Sequence, residues 1–186
     1  MISRTIVPIR WTGSVVPGVD EAFGLGDVVQ SFFFTPQETV GGWILCAGPV
    51  FLLPTATDSA FQGRQFGLGP TAVALRQHDG FTYGALVNHV WGVTNPDTRA
   101  NVNQTFLQPF FSYTWPTSTT LAVNVESSYN WNTNEWTVPI IADVGQLVSI
   151  GVQKVQFRFG GRFFPTTPSG DPDWGVRFQI TFLFPK

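Results

Sequence analysis

From Val176 to Phe184 the chain alternates without a break: Val176, Phe178, Ile180, Phe182 and Phe184 are separated by Arg177, Gln179, Thr181 and Leu183. Successive strand side chains point to opposite faces, so this segment has one wholly apolar face and one mostly polar face. The pattern recurs upstream. Val155, Phe157, Phe159 and Phe163 oppose Gln156, Arg158 and Arg162, and Leu121, Val123, Val125, Tyr129 and Trp131 oppose Asn124, Glu126, Ser128 and Asn130. A half-buried strand of a soluble sheet has the same alternation, so composition must say which face is wet.

Charged residues make up 12% of the 186 positions, against roughly 25% in soluble domains, while aromatics reach 15%, with 18 Phe and 7 Trp. A water-facing surface would have to be built mainly from Gly, Thr, Ser, Asn and Gln. The alternative is a barrel turned inside out, with its apolar face toward lipid. No apolar run approaches the ~18 residues of a helical membrane span, so only strands could cross. Composition shifts nowhere sharply enough to mark a linker, and 1–186 reads as a single domain. Net charge is −2 and the 8 Arg and 2 Lys are spread out, so no patch suited to nucleic-acid phosphates is present. The lone Cys46 permits neither an internal disulfide nor a cysteine-based metal site, and reads as a buried, inert thiol.

Runs rich in β-branched and aromatic residues predict ten strands and no helix: 2–11, 23–35, 42–54, 65–77, 81–93, 102–114, 119–131, 135–150, 153–164 and 174–184. Most match the roughly 9 to 11 residues that cross a bilayer at a tilt. Connections alternate in length. Those near 12–22, 55–64, 94–101 and 165–173 are long, and those at 36–41, 78–80, 115–118 and 151–152 are tight, with a short one at 132–134 breaking the rule. Outer-membrane barrels keep short turns on the periplasmic side and long loops outside, and that phase holds back to residue 12. Trp11, Trp91, Trp115, Trp131, Trp136 and Trp174 fall near strand ends, as in an aromatic girdle. Strands 42–54 and 65–77 carry apolar or small residues on both faces, so their inward sets are not assigned.

Catalytic chemistry finds little support. His89 and Asn88 are adjacent on a strand and face opposite ways, which keeps them out of one hydrolytic site. Glu126 and Asp143 could be imagined as a glycosidase pair, but charges lining a lumen account for them more simply. Gly24-Leu25-Gly26-Asp27 and Gly67-Leu68-Gly69-Pro70 are followed by no helix, so they read as shaping glycines rather than a phosphate cradle. No catalytic residue, metal or cofactor is expected.

A series of motifs then runs in order: Gly24-Leu25-Gly26-Asp27, Gly48-Pro49 into Leu53-Pro54-Thr55-Ala56-Thr57-Asp58, Gly67-Leu68-Gly69-Pro70-Thr71-Ala72, and Gly84-Ala85-Leu86-Val87-Asn88-His89-Val90-Trp91. Asn103-Gln104-Thr105-Phe106-Leu107-Gln108-Pro109-Phe110, Trp136-Thr137-Val138-Pro139 and the ending from Pro172-Asp173-Trp174-Gly175-Val176-Arg177-Phe178-Gln179 to Phe182-Leu183-Phe184-Pro185-Lys186 continue it. Together, over nearly the whole chain, they resemble the outer-membrane transporter family of the "MetA-pathway of phenol degradation" type. The resemblance implies a bacterial outer-membrane β-barrel, loosely allied to channels for fatty acids and aromatic hydrocarbons. It also implies a signal peptide and about two strands ahead of the segment matching Ile2-Ser3-Arg4-Thr5-Ile6-Val7-Pro8-Ile9, making about twelve strands where this chain has about ten.

The expectation is an all-β, antiparallel up-and-down transmembrane barrel of the outer membrane that passes small aromatic or hydrophobic molecules by diffusion and is not an enzyme. Its partners would be the lipid bilayer, a small-molecule permeant and the barrel-assembly machinery, with no nucleic acid. Asn124, Glu126, Asp143, Arg158, Arg162, Arg177 and Gln179 would line the lumen. The alternatives are a soluble β-sandwich binding carbohydrate or another ligand, and a structural barrel whose bore is plugged by side chains.

Overall fold

The computed structural model describes residues 1–12, 22–58, 65–94, 101–166 and 173–183, and all regular structure among them is β. The strands are β1 (Ile2–Ile6), β2 (Ile9–Thr12), β3 (Ala22–Leu25), β4 (Val28–Phe33), β5 (Trp43–Leu53), β6 (Gly67–His78) and β7 (Phe81–Gly92). They continue as β8 (Asn103–Thr114), β9 (Thr119–Val125), β10 (Ser127–Asn130), β11 (Glu135–Ile150), β12 (Gln153–Thr166) and β13 (Trp174–Leu183). Eleven form one antiparallel sheet in the order β1-β4-β5-β6-β7-β8, then β9 and β10 end to end, then β11-β12-β13, while β2 and β3 pair with each other.

Three of the ten expected strands are each divided in two, for local reasons. Pro8 has no N–H to continue the first ladder, and its carbonyl instead accepts the Gly26 N–H at 2.8 Å, so the chain breaks between β1 and β2 and again between β3 and β4. The Glu126 N–H donates to the Pro139 carbonyl at 3.0 Å, but Pro139 has no N–H to return, which interrupts the strand between β9 and β10 without changing its register (Val125 opposite Ile140, Ser128 opposite Thr137). On its other side β11 slips against β12 between Val138 and Ile140. This irregularity flanks Glu126, the kind of position where a bulge re-aims a side chain.

The tight connections at Asp79-Gly80, 115–118 and Gly151-Val152 all fall at one end of the meander. Asp79 and Gly80 have φ of 47° and 83°, the left-handed pair that a two-residue Asp-Gly hairpin turn requires. The short 131–134 turn lies at the opposite end, together with the long connections, whose residues 13–21, 59–64, 95–100 and 167–172 are outside the described set.

Among the described residues β1 and β13, the two edges of the sheet, do not pair with each other. The sheet is nevertheless rolled. Arg4 of β1 lines one cavity with Arg177 and Gln179 of β13, and another with Gln104 and Phe106 of β8. The two faces are therefore an inner wall and an outer surface. On the inner wall Phe33, Cys46 and Leu86 are buried together, with Ile44, Val73 and Phe106 packed against them. On the outer surface Phe159 and Phe178 are each 64% exposed and Val176 is 73% exposed.

Candidate functional site

Register settles which residues meet on the inner wall of the C-terminal strands. Asp143, Gly160 and Arg177 form one row across β11, β12 and β13, and Gly145, Arg158 and Gln179 form the next. Glycine stands beside a charged side chain in each row, Gly145 beneath Arg158 and Gly160 beside Asp143. A Cβ at Gly145 would come within 2.8 Å of Arg158 Cγ, and one at Gly160 within 2.4 Å of Asp143 Cβ. These glycines make the space in which the charged side chains lie.

Two charge clusters result. Asp143, only 4% exposed, holds Arg158 by a 2.7 Å contact between Oδ1 and Nε. The approach is off the hydrogen-bonding axis, leaving an ion pair rather than a directed bond. Glu126 is shared: Arg177 Nη1 donates to Oε1 at 2.8 Å and Arg162 Nη2 to Oε2 at 3.1 Å. The network extends from Arg177 Nη2 to Gln179 Oε1 at 3.2 Å, and from Gln179 Nε2 to Thr181 Oγ1 at 3.1 Å. On the other flank Gln108 Nε2 lies 3.4 Å from both Asn124 Oδ1 and Glu126 Oε1. Arg162 also stacks 5.7 Å from the Phe164 ring centroid.

All seven residues singled out from the sequence thus share the inner wall. Sequence reasoning missed Arg4 and Gln108. Arg4 carries a visible signal, a lone charge on the strand face otherwise occupied by Ile2 and Ile6. Gln108 carries none, because its importance comes from standing between Leu86 and Glu126 on adjacent strands.

Other candidates separate. Asn88 stands opposite Thr71 and Phe106 on the inner wall, whereas His89 is on the outer surface with its Nδ1 2.7 Å from Thr105 Oγ1. Trp131 Nε1 donates to the same Thr105 Oγ1 at 2.8 Å. Glu126 and Asp143 are offset by four positions along β11, about 14 Å of strand rise, and Glu126 is engaged by Arg162 and Arg177 while Asp143 is engaged by Arg158, an arrangement unlike the ~5–9.5 Å pairs of glycosidases. Cys46 is buried in the inner apolar cluster.

Aromatic residues form two rows on the outer surface. Trp91, Tyr129, Trp131 and Trp136 gather at the end bearing the long connections, with Tyr129 4.9 Å from each of Trp131 and Trp136. Trp43 with Tyr83, and Phe81 with Tyr113 and Trp115, gather at the tight-turn end. The Trp11 side chain lies outside the described set. Comparison of the chain with known families, with curated proteins and with solved structures returned no match.

Proposed function

We propose that the chain is an outer-membrane β-barrel channel through which small aromatic or apolar molecules diffuse, of the type suggested by its ordered motifs. The observation that carries this reading is the pairing of an exposed apolar outer surface with a charged inner wall. Phe157, Phe159, Phe163, Val176, Phe178, Ile180 and Phe182 form a contiguous outward band on β12 and β13, whereas soluble monomers rarely expose apolar patches beyond a few hundred Å². The spacing of the aromatic rows agrees. From Phe81 to Trp91 β7 rises about 34 Å at ~3.4 Å per residue. At the ~40° tilt of such strands this spans about 26 Å, close to the ~25 Å apolar band of outer-membrane barrels. A soluble sandwich would need a second sheet over the phenylalanines, and the only other sheet among the described residues is the short two-stranded β2–β3 pair.

A plugged barrel is the second reading, favoured by the cluster of Phe33, Cys46 and Leu86 on the inner wall. Gel migration of the detergent-refolded chain, heated against unheated, tests the barrel; a heat-dependent shift is expected, and free solubility in plain buffer without a shift would sink the reading. Single-channel recording then separates channel from plug. Arg158→Glu with Arg162→Glu should change conductance and ion selectivity, and an unaltered trace would place both side chains outside the permeation path.

A further inference from the structure

Two features of the outer surface match one another. The first is a groove. Three concavities, of about 530, 410 and 480 Å³, lie end to end over β5 to β8. The first two share Ala47, Ala72 and Val87, and the second and third share Gly48 and Pro70. Register explains the hollow. Leu45, Ala74 and Ala85 form one outward row, and Ala47, Ala72, Val87 and Leu107 form the next. The alanines make the floor, and Leu45 of β5 and Leu107 of β8 stand at the sides. Among the described residues no Asp, Glu, Lys or Arg lines any of the three concavities.

The second feature is a ridge. Phe159 of β12 stands beside Phe178 of β13, and Phe157, Phe163 and Phe182 are exposed along the same face. Five rings at 36–64% exposure present roughly 550 Å², taking about 200 Å² for each whole side chain. Buried against an equal area of groove, this reaches about 1,100 Å², above the ~1,000 Å² that a specific interface needs. Depth matches as well. Phe159 and Phe178 are near the middle of their strands, as Ala72 and Val87 are of theirs, so ridge and groove fall at the same level of an apolar band that the strands cross. Five strand positions separate them in the sheet order, and in the rolled sheet they face away from each other.

We propose that copies of this chain associate side by side in the membrane, with the phenylalanine ridge of one seated in the alanine-floored groove of the next. This rests on the barrel reading above, in which the bilayer holds all copies in one orientation and at one depth. Between apolar surfaces in lipid the gain comes from close packing, and small residues on the floor let the facing wall approach. The contact is heterologous, so each pair keeps a free groove at one end and a free ridge at the other. Rows form rather than closed dimers.

Energy transfer between full chains refolded into phosphatidylcholine vesicles tests this, with donor or acceptor dye attached through Val152→Cys in an exposed tight turn while the native Cys46 stays buried. Transfer should rise with protein density. Ala72→Trp fills the groove, and Phe159→Ala with Phe178→Ala removes the ridge; each change should weaken association at least tenfold. Mixed in equal amounts, the two variants should recover pairwise transfer, because one supplies an intact ridge and the other an intact groove. Leu121→Ala, on the outward face of β9 between the two features, should change nothing. A wild-type chain that stays monomeric at every density, its groove left to lipid chains, overturns the contact, as does transfer that survives both variants or a mixture that recovers none. The heat-dependent gel shift verifies the fold of each chain and separates the two readings. A shifted chain that does not associate overturns this contact alone, and a freely soluble, unshifted chain overturns the barrel and the contact together.

Discussion

The N-terminal and C-terminal halves of the sheet line their inner walls with different chemistry. On β4 to β7 the inward positions hold Phe33, Cys46, Val73 and Leu86, and the mid-strand outward positions mix small residues such as Ala47, Ala72, Ala74 and Ala85 with bulkier ones such as Leu45, Leu68 and Val87. On β12 and β13 the inward positions hold Arg158, Arg162, Arg177 and Gln179, and the outward ones hold phenylalanine. The first half packs inward as a soluble core does, driven by apolar burial. In the second half the inner wall is held by ion pairs and glycine spacing, with its apolar area left to the surroundings. One continuous ladder therefore carries two kinds of wall, and the interior between them has one apolar and one charged side.

The strongest way to break this contrast is to remove a charge from the second wall. Asp143→Ala leaves Arg158 unpaired beside a buried position, and should cost about 3–5 kcal/mol in denaturant titration of the refolded protein. A cost near zero would mean that water, rather than Asp143, satisfies Arg158. Next is the outer surface: Phe178→Arg at mid-strand should cost about 2–4 kcal/mol in a bilayer, against about 0–1 kcal/mol for Phe182→Arg nearer the rim. Equal costs at the two positions would favour ordinary core burial over lipid contact.

Leu86→Ala tests the first wall and should destabilise by about 2–3 kcal/mol through lost burial and the cavity left behind. Single-channel conductance should rise if the cluster narrows the bore and stay constant if permeation follows the charged wall alone. The smallest effect is expected at the outer rim, where Trp131→Phe removes the hydrogen bond to Thr105 for about 0.5–1.5 kcal/mol while keeping an aromatic ring at the same height. A larger loss would show that His89, Thr105 and Trp131 act as a unit.

The difference between the halves also explains how much of the fold could be read from the chain. Alternation identifies faces only when one face is polar, as on 153–164 and 174–183, and the register there sets Arg158 opposite Gln179 and Gln156 opposite Thr181 on one face. On β5 and β6 both faces are apolar or small, so periodicity carried no information about which side Cys46 or Val73 would take. Pairing with β4 and β7 decides it. The division of three strands at Pro8, at Gly26-Asp27 and at Glu126 was likewise illegible, because it depends on which carbonyl or N–H lies across the ladder.

Period-two patterning, turn residues and low charge were enough to determine an all-β antiparallel meander and to group the seven polar residues on one face of it, because strand geometry makes facing a local property. What only the tertiary structure decided is who meets whom. Glu126 is shared between Arg162 and Arg177, Asp143 reaches Arg158, and Arg4, from the far edge of the sheet, borders both interior cavities. Those contacts depend on inter-strand register and on the roll of the sheet. Both are set by the summed packing of residues distant in sequence, which no local pattern encodes.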